Sequence, residues 1–273
     1  MDKIIVPVDF SEYSEYALET AAIMAKRNNA ELIVLHMLEI DRGRVTDSTD
    51  AHNEKMVFFL KLAEKKFDEF LDKDFLQDIN VTPIVKHFKV FSEVAEVAEE
   101  HDADMIVMGS HGTSGLSEIF VGSNTEKVVR YSEIPVLVVK QKPSNLNFDT
   151  VTFACDFSDE MVEPYLKASK LFGNLKLIHV NVPGEGFNST AEMESKVANF
   201  LKKADGDLGK LNDVHYTSDY TVEKGILNAS NLLGADLIAV PTHGRKGLAH
   251  FFTGSVSEDV ANHSTLPVIT FKI

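Results

Sequence analysis

Two glycine-rich segments carry the residues best suited to chemistry. In the first, Gly109-x-x-Gly112 is followed, after nine intervening residues, by Gly122-Ser123-Asn124-Thr125. Glycine lets a backbone approach a ligand closely or turn through a positive φ. Where such a loop runs from a strand into a helix, the helix supplies unpaired N–H groups and the positive end of its dipole, a combination that binds anions. The hydroxyls and amides of residues 123–125 would face a phosphate. No Gly-Lys-Ser/Thr follows, so this is not a Walker A loop, and it is not a GxGxxG fingerprint. A plainer account stays open at this point. Glycines at strand ends make turns, and Ser123-x-x-Glu126 and Ser255-x-x-Glu258 both spell a capping box.

The segment recurs, which favours a phosphate site over capping alone. Ala103–Gly112 is answered by Ala235–Gly244, and Gly122-Ser123 by Gly254-Ser255, all 132 residues later. Asp9-Phe10-Ser11 is answered by Asp156-Phe157-Ser158, 147 residues later. The difference means that the second copy has lost residues after its second strand, where the first has the polar stretch Asp41–Asn53. The copies also differ in chemistry. Pro241 stands where Gly109 does, and proline has no N–H and a fixed φ. Ala154 replaces Pro7, Cys155 replaces Val8, and Arg245 and Lys246 replace Thr113 and Ser114, which adds positive charge beside the second loop.

The other reactive side chains are less informative. His36 and His179 hold matching strand-end positions and read as hydrogen-bonded core histidines. His111 and His243 lie in the glycine loops and could donate to a ribose or phosphate. Cys155 is the single cysteine. It reads as a small buried thiol, without a resolving partner or a metal motif. Asp104 and Asp236 recur before matching strands, which predicts a shared turn role. No GxSxG and no Ser/His/Asp order stands out, so no catalytic residue and no protein metal ligand is assigned.

The elements that must position these residues alternate. Lys3–Val8, Glu31–Leu38, Thr82–Phe88, Met105–Met108 and Val136–Lys140 read as strands. Between them lie helices: one after Ser11, a candidate N-cap; one over Glu54–Gln77, with Phe59, Leu62, Ala63, Phe67, Phe70 and Leu71 on a single face; and two over Ser92–Glu100 and Asn124–Ser132. Continuous apolar strands alternating with helices predict an α/β fold, with an open, mainly parallel five-stranded sheet covered on both faces in each copy. A ligand would bind at the carboxyl ends of the strands, near the topological switch point. The expected units are residues 1–141 and 150–273, joined by a polar linker over 142–149. The last strand of each copy is an apolar edge, a hazard unless paired. Pairing the two edges would make a pseudo-dimer within one chain, and a further homodimer stays open.

On these residues the chain resembles a tandem universal stress protein. The first copy carries the resemblance in IIVPVDFS (4–11), LIVLHM (32–37), MGSHGTSGLSEIFVGSNTEKVV (108–129) and IPVLVV (134–139). The second carries it in VTFACDFS (151–158), LIHV (177–180) and VPTHGRKGLAHFFTGSVSEDVANHSTLPVI (240–269). The Gly-x2-Gly-x9-Gly-Ser pattern is that of the family's ATP-binding branch. The resemblance implies ATP as ligand, with Mg2+ or Mn2+ arriving on its phosphates. It implies that Asp9 holds the ribose or adenine side, that Pro7 and Val8 line the base, and that Met37 and Met108 lie beside it. Gly109, His111 and Gly112 would wrap ribose and phosphates, and Gly122, Ser123, Asn124 and Thr125 would take the terminal phosphates. A weaker second site would use Cys155, Asp156, Val180, Val240, His243, Gly244, Gly254, Ser255, Val256 and Ser257. The implied role is a stress-response nucleotide-binding module. The alternatives are a slow ATPase or other adenine-nucleotide enzyme, and a scaffold without nucleotide.

Composition bounds these readings. The chain has 273 residues, 44% hydrophobic and 25% charged, a globular balance. Its formal net charge is −15, which disfavours nucleic acid, whose binding rests on phosphate neutralisation by Lys and Arg. No apolar run reaches the length of a membrane span, and the N-terminal stretch lacks signal-peptide character. With one cysteine, a reducing cytoplasmic setting is expected.

Overall fold

A computed structural model describes residues 1–39, 49–88, 93–110, 121–143, 147–184, 187–206, 208–243 and 256–273. The first copy runs β1 (Lys3–Val8), α1 (Glu12–Asn28), β2 (Glu31–Glu39), α2 (Thr49–Leu71), β3 (Val81–Phe88), α3 (Glu93–Glu100), β4 (Met105–Gly109), α4 (Ser123–Tyr131) and β5 (Val136–Val139). The second repeats the order with β6 (Val151–Ala154), α5 (Val162–Phe172), β7 (Leu175–Asn181), α6 (Thr190–Ala204), β8 (His215–Ser218), α7 (Val222–Leu232), β9 (Leu237–Thr242), α8 (Val256–His263) and β10 (Val268–Lys272).

The two five-stranded sheets are one. The strand order is β3-β2-β1-β4-β5-β10-β9-β6-β7-β8. Within each copy all neighbours are parallel. At the centre β5 and β10 pair antiparallel, with Val138 opposite Val268 and Val136 opposite Thr270. Each apolar edge thus covers the other. In each half the chain leaves the first strand to one side and returns on the other, so the switch points lie between β1 and β4 and between β6 and β9.

Strand side chains alternate between the two sheet faces, and the cores follow that rule. Ile4, Val6 and Val8 join a core that runs unbroken from α1 and α2 to α5 and α6, taking in Leu137, Phe153, Tyr165, Phe200 and Phe271. On the other face the core is divided. Ile5, Ile33, Ile106, Val94 and Val128 pack under α3 and α4, and Ile226, Ile238, Val260 and Val268 under α7 and α8. Val121 packs against both of these clusters, at the seam.

The recurring aspartates act as a pair. Asp104 accepts the N–H groups of Asp2 and Lys3 at 2.5 and 3.2 Å. Asp236 accepts those of Asp149 and Thr150, both at 3.0 Å. Each ties the entry of its copy's first strand to the turn before its fourth.

Two sequence expectations change. The polar stretch 142–149 contains Phe148, which is 4% exposed and sits in the continuous core. Its neighbours Asn147 and Asp149 are held by Arg27 of α1. On α2, Ala63, Phe67 and Phe70 are buried as expected, but Leu62 is 42% exposed. At about 100° per residue Leu62 is turned away from the Ala63–Phe67–Phe70 line and shares its flank with the exposed Lys66 and Glu69. Phe59 of that stripe is a position whose side chain lies outside the described set.

Candidate functional site

In the first copy the carboxyl ends of β1 and β4 meet the N-terminus of α4. Gly122 N–H donates to Ser110 O at 2.6 Å, and the Thr125 hydroxyl donates to Gly109 O at 2.8 Å. These two bonds seat the helix N-terminus beside the end of β4. Gly122 is the N-cap, with φ −62° and ψ 148°, and makes no side-chain cap. Ser123 is therefore the first helical residue and is exposed, and Glu126 pairs with Arg130 at 3.0 Å. The capping-box reading of Ser123 does not hold. Thr125 is buried with its hydroxyl committed to Gly109, so it fixes the helix from inside rather than facing the cleft.

Asp9 lies at the end of β1 and is half-buried. Its carboxylate accepts from Ser11 N–H at 3.1 Å and from the Ser14 hydroxyl at 2.5 Å, while its own N–H donates to the Ser14 oxygen at 3.0 Å. Ser11 caps α1 by accepting from Ser14 N–H at 3.2 Å. One carboxylate thus orients both the strand end and the helix start. Asp156 makes the matching contact to Ser158 N–H at 2.8 Å and is exposed. The aromatic between Asp and Ser turns through the left-handed region in both copies, with φ 64° at Phe10 and 62° at Phe157. That conformation is uncommon for a bulky residue. Each ring lies against the strand-end histidine, Phe10 on His36 at 4.3 Å and Phe157 on His179 at 5.5 Å between centroids. The histidines are alike in turn: Nδ1 of His36 bonds Val8 O at 2.8 Å and Nδ1 of His179 bonds Cys155 O at 3.0 Å. A carbonyl only accepts, so both rings carry the Nδ1 proton. Burial holds the His36 pKa below its ordinary value, against the opposing effect of the Val8 bond.

The other candidates of the first copy divide by sheet face. Met37 and Met108 pack with the α3/α4 core, the face on which α4 begins. Val8 packs on the opposite face, in the α1/α2 core, so it would meet a ligand there only through its backbone. Pro7, the residue before Val8, is buried. Gly109 has a packing role that the sequence did not disclose. A Cβ on it would lie 2.6 Å from Tyr13 O and 2.7 Å from Tyr13 C, in the first turn of α1. Asn124 is half-buried at the start of α4. His111 and Gly112 lie outside the described residues.

In the second copy a cavity of about 470 Å³ opens at the same place, between the ends of β6 and β9. Among its lining residues are Cys155, Asp156, Val180, Val240, His243, Val256 and Ser257, seven of the positions assigned from the sequence. The remaining three, Gly244, Gly254 and Ser255, lie outside the described residues. Sequence reasoning missed Met161, Val222, Ile226 and Ile273 on the cavity wall; each follows an apolar period and carries no polar signal. Cys155 is 6% exposed, its thiol pushed up by burial, which makes it unreactive.

Pro241 stands opposite a different helix start, which Pro164 in the first turn of α5 helps to set, since proline has no N–H for the helix interior. Pro241 occupies the Gly109 position, where the first copy has no room for a Cβ. In the second copy the residues matching the start of α1 form a 3-10 turn, Asp159–Met161, and α5 begins only at Val162. Met161 and Pro241 both line the cavity.

Among known proteins, the profile of the Universal stress protein family matches residues 1–140 and again residues 147–272. Universal stress protein MJ0577 of Methanocaldococcus jannaschii is 34% identical over 158 residues, which is 52% of this chain and 96% of that protein. Universal stress protein YxiE of Bacillus subtilis is 31% identical over 155 residues, 51% of this chain and 99% of that protein. Such relatives correspond to one half of the chain. A crystal structure of a universal stress protein from Archaeoglobus fulgidus matches 99% of this chain and 96% of its own, with a TM-score of 0.66 at 24% identity, so the fold extends across both copies.

Proposed function

The chain belongs to the universal stress protein family, and from that premise we propose that it binds an adenine nucleotide, ATP foremost, at the switch point of the first copy. The second copy is the weaker site. The protein acts as a regulatory nucleotide-binding module of the reducing cytoplasm, with residues 1–141 and 150–273 as its two units.

The observation that carries this reading is the backbone of Gly122. Its φ of −62° is open to every residue, so turn geometry does not require glycine there. We read the glycine as room for close approach of a ligand to the start of α4. The neighbouring Ser123 is exposed at that helix N-terminus, and Met37 and Met108 lie on the same sheet face. Asp9, held by Ser11 and Ser14, stands at the strand end where a ribose would lie. A divalent ion would enter with the phosphates.

The second site rests on the cavity between β6 and β9. Its volume of about 470 Å³ falls within the roughly 300–1,000 Å³ of small-molecule sites. Its lining explains the lower rank. Pro241 offers no N–H, and Val256 stands where the first copy has Asn124.

Thermal denaturation tests the reading. At about 100 times its dissociation constant, ATP should stabilise the protein by on the order of 2.7 kcal/mol. No shift with ATP, together with a 260 nm absorbance that shows no adenine in the purified protein, would leave the scaffold alternative. Single-turnover assays with labelled ATP separate binder from enzyme: a rate above roughly 1 s⁻¹ lies in the enzyme range and would contradict the regulatory reading.

A further inference from the structure

We infer that Asn262, a residue of the second copy, is a positioning residue for the nucleotide site of the first, and that this support runs one way. The inference rests on the proposed binding at the start of α4.

Asn262 lies near the end of α8, half-buried at the seam. Its side-chain Oδ1 accepts the N–H of Val121 at 2.8 Å. Val121 is the residue immediately before Gly122, the N-cap of α4. On its other side Gly122 N–H is held by Ser110 O at 2.6 Å. The approach to the phosphate-side helix is therefore fixed at consecutive amides, one from its own copy and one from the other. The main chain of Asn262 is held as well, because Lys140 at the end of β5 donates its ammonium to Asn262 O. Side chain and carbonyl of one residue thus engage two segments of the first copy that flank its site.

The duplication exposes the asymmetry. Arg130 is the first-copy counterpart of Asn262, and Lys272 is that of Lys140, each 132 residues apart. The main-chain contact is kept: Lys272 donates to Arg130 O at 2.6 Å. The side-chain function cannot be. An asparagine offers an acceptor oxygen, whereas a guanidinium only donates. Arg130 cannot receive a backbone N–H from the second copy as Asn262 does from the first. Its charge goes to Glu126 one turn back. The seam therefore pins the start of α4 through Asn262, and Arg130 at the matching position offers no equivalent acceptor to the second copy.

The test uses the full chain with Asn262→Leu and Asn262→Asp. Leucine removes the acceptor at similar size; aspartate keeps one. Loss of one neutral hydrogen bond predicts ATP binding at the first site about three- to tenfold weaker in Asn262→Leu, with affinity restored in Asn262→Asp. Hydrogen exchange read at the Val121 amide gives a readout that needs no nucleotide. Protection should fall in Asn262→Leu and return in Asn262→Asp. Unchanged protection in the leucine variant would overturn the inference whether or not ATP binds. Lost protection with unchanged ATP affinity would overturn the positioning role. If wild type binds no ATP while protection follows the acceptor as described, the proposed function fails and the seam contact stands.

Discussion

Gly109 and Gly122 look alike in sequence and differ in what they do. Gly109 is glycine because Tyr13 of α1 leaves no space, with its carbonyl oxygen 2.6 Å from the place of a Cβ. The atoms in the way are backbone, which cannot rotate aside. Gly109→Ala should therefore cost about 1–3 kcal/mol through overpacking, measured by urea denaturation without ligand; an unchanged midpoint would mean that α1 yields freely. Gly122 should behave in the opposite manner, tolerating a side chain for folding while losing ligand. His36 supplies a second residue-scale expectation. Its folded pKa lies below the free value because burial penalises the imidazolium. The stability it contributes is present above the unfolded pKa, near 6.5, and is lost as pH falls through the folded one. Wild type should lose more stability than His36→Gln between pH 7 and the acid side, compared by denaturation at each pH. Equal losses would show that the ring takes up its proton without penalty.

Elements carry the difference between the two copies. α1 begins directly after its Ser11 cap, whereas the second copy spends the same residues on a 3-10 turn before α5. Proline at 241 removes one donor at the strand end. Pro241→Gly should return the donor, worth about 1 kcal/mol for a neutral hydrogen bond, and tighten ATP at the second site several-fold. Titration in a Gly122→Val background isolates that site; no gain there would mean that Pro241 is not what weakens it. β1 was legible to the residue, because an apolar run bounded by Asp9 and Lys3 admits one strand. The helix at Ser123 was legible, but its cap was not. Ser-x-x-Glu fits a capping box in sequence, and the bonds from Gly122 and Thr125 back to β4 move the start of the helix by one residue. Leu62 fits the stripe of α2 and is exposed beside buried Ala63, since periodicity records a face but not how wide a strip of it is covered.

At the scale of the molecule, duplication supplies both the edge problem and its solution. Two apolar last strands were readable as edges, and their antiparallel pairing closes the pseudo-dimer within one chain. The continuous core on one face was only partly readable, because Phe148, one of its members, lies inside a polar stretch that otherwise reads as a linker. Phe148 is buried among Met24, Arg27, Leu171 and Phe172, between α1 and α5. Phe148→Ala should cost about 3–5 kcal/mol and, by loosening that face, separate one calorimetric unfolding transition into two. A single transition at the wild-type temperature would show that the copies stay coupled without Phe148. The net charge of −15 belongs at this scale too, since an anion can bind such a chain only through local donors. That makes the N-terminus of α4 decisive. Isothermal titration of ATP into wild type and Gly122→Val is the most direct test. Nucleotide binding at the start of α4 predicts a tighter event in wild type that disappears in the variant, with the weaker second-copy event retained. Identical stoichiometry and affinity in the two proteins would contradict it.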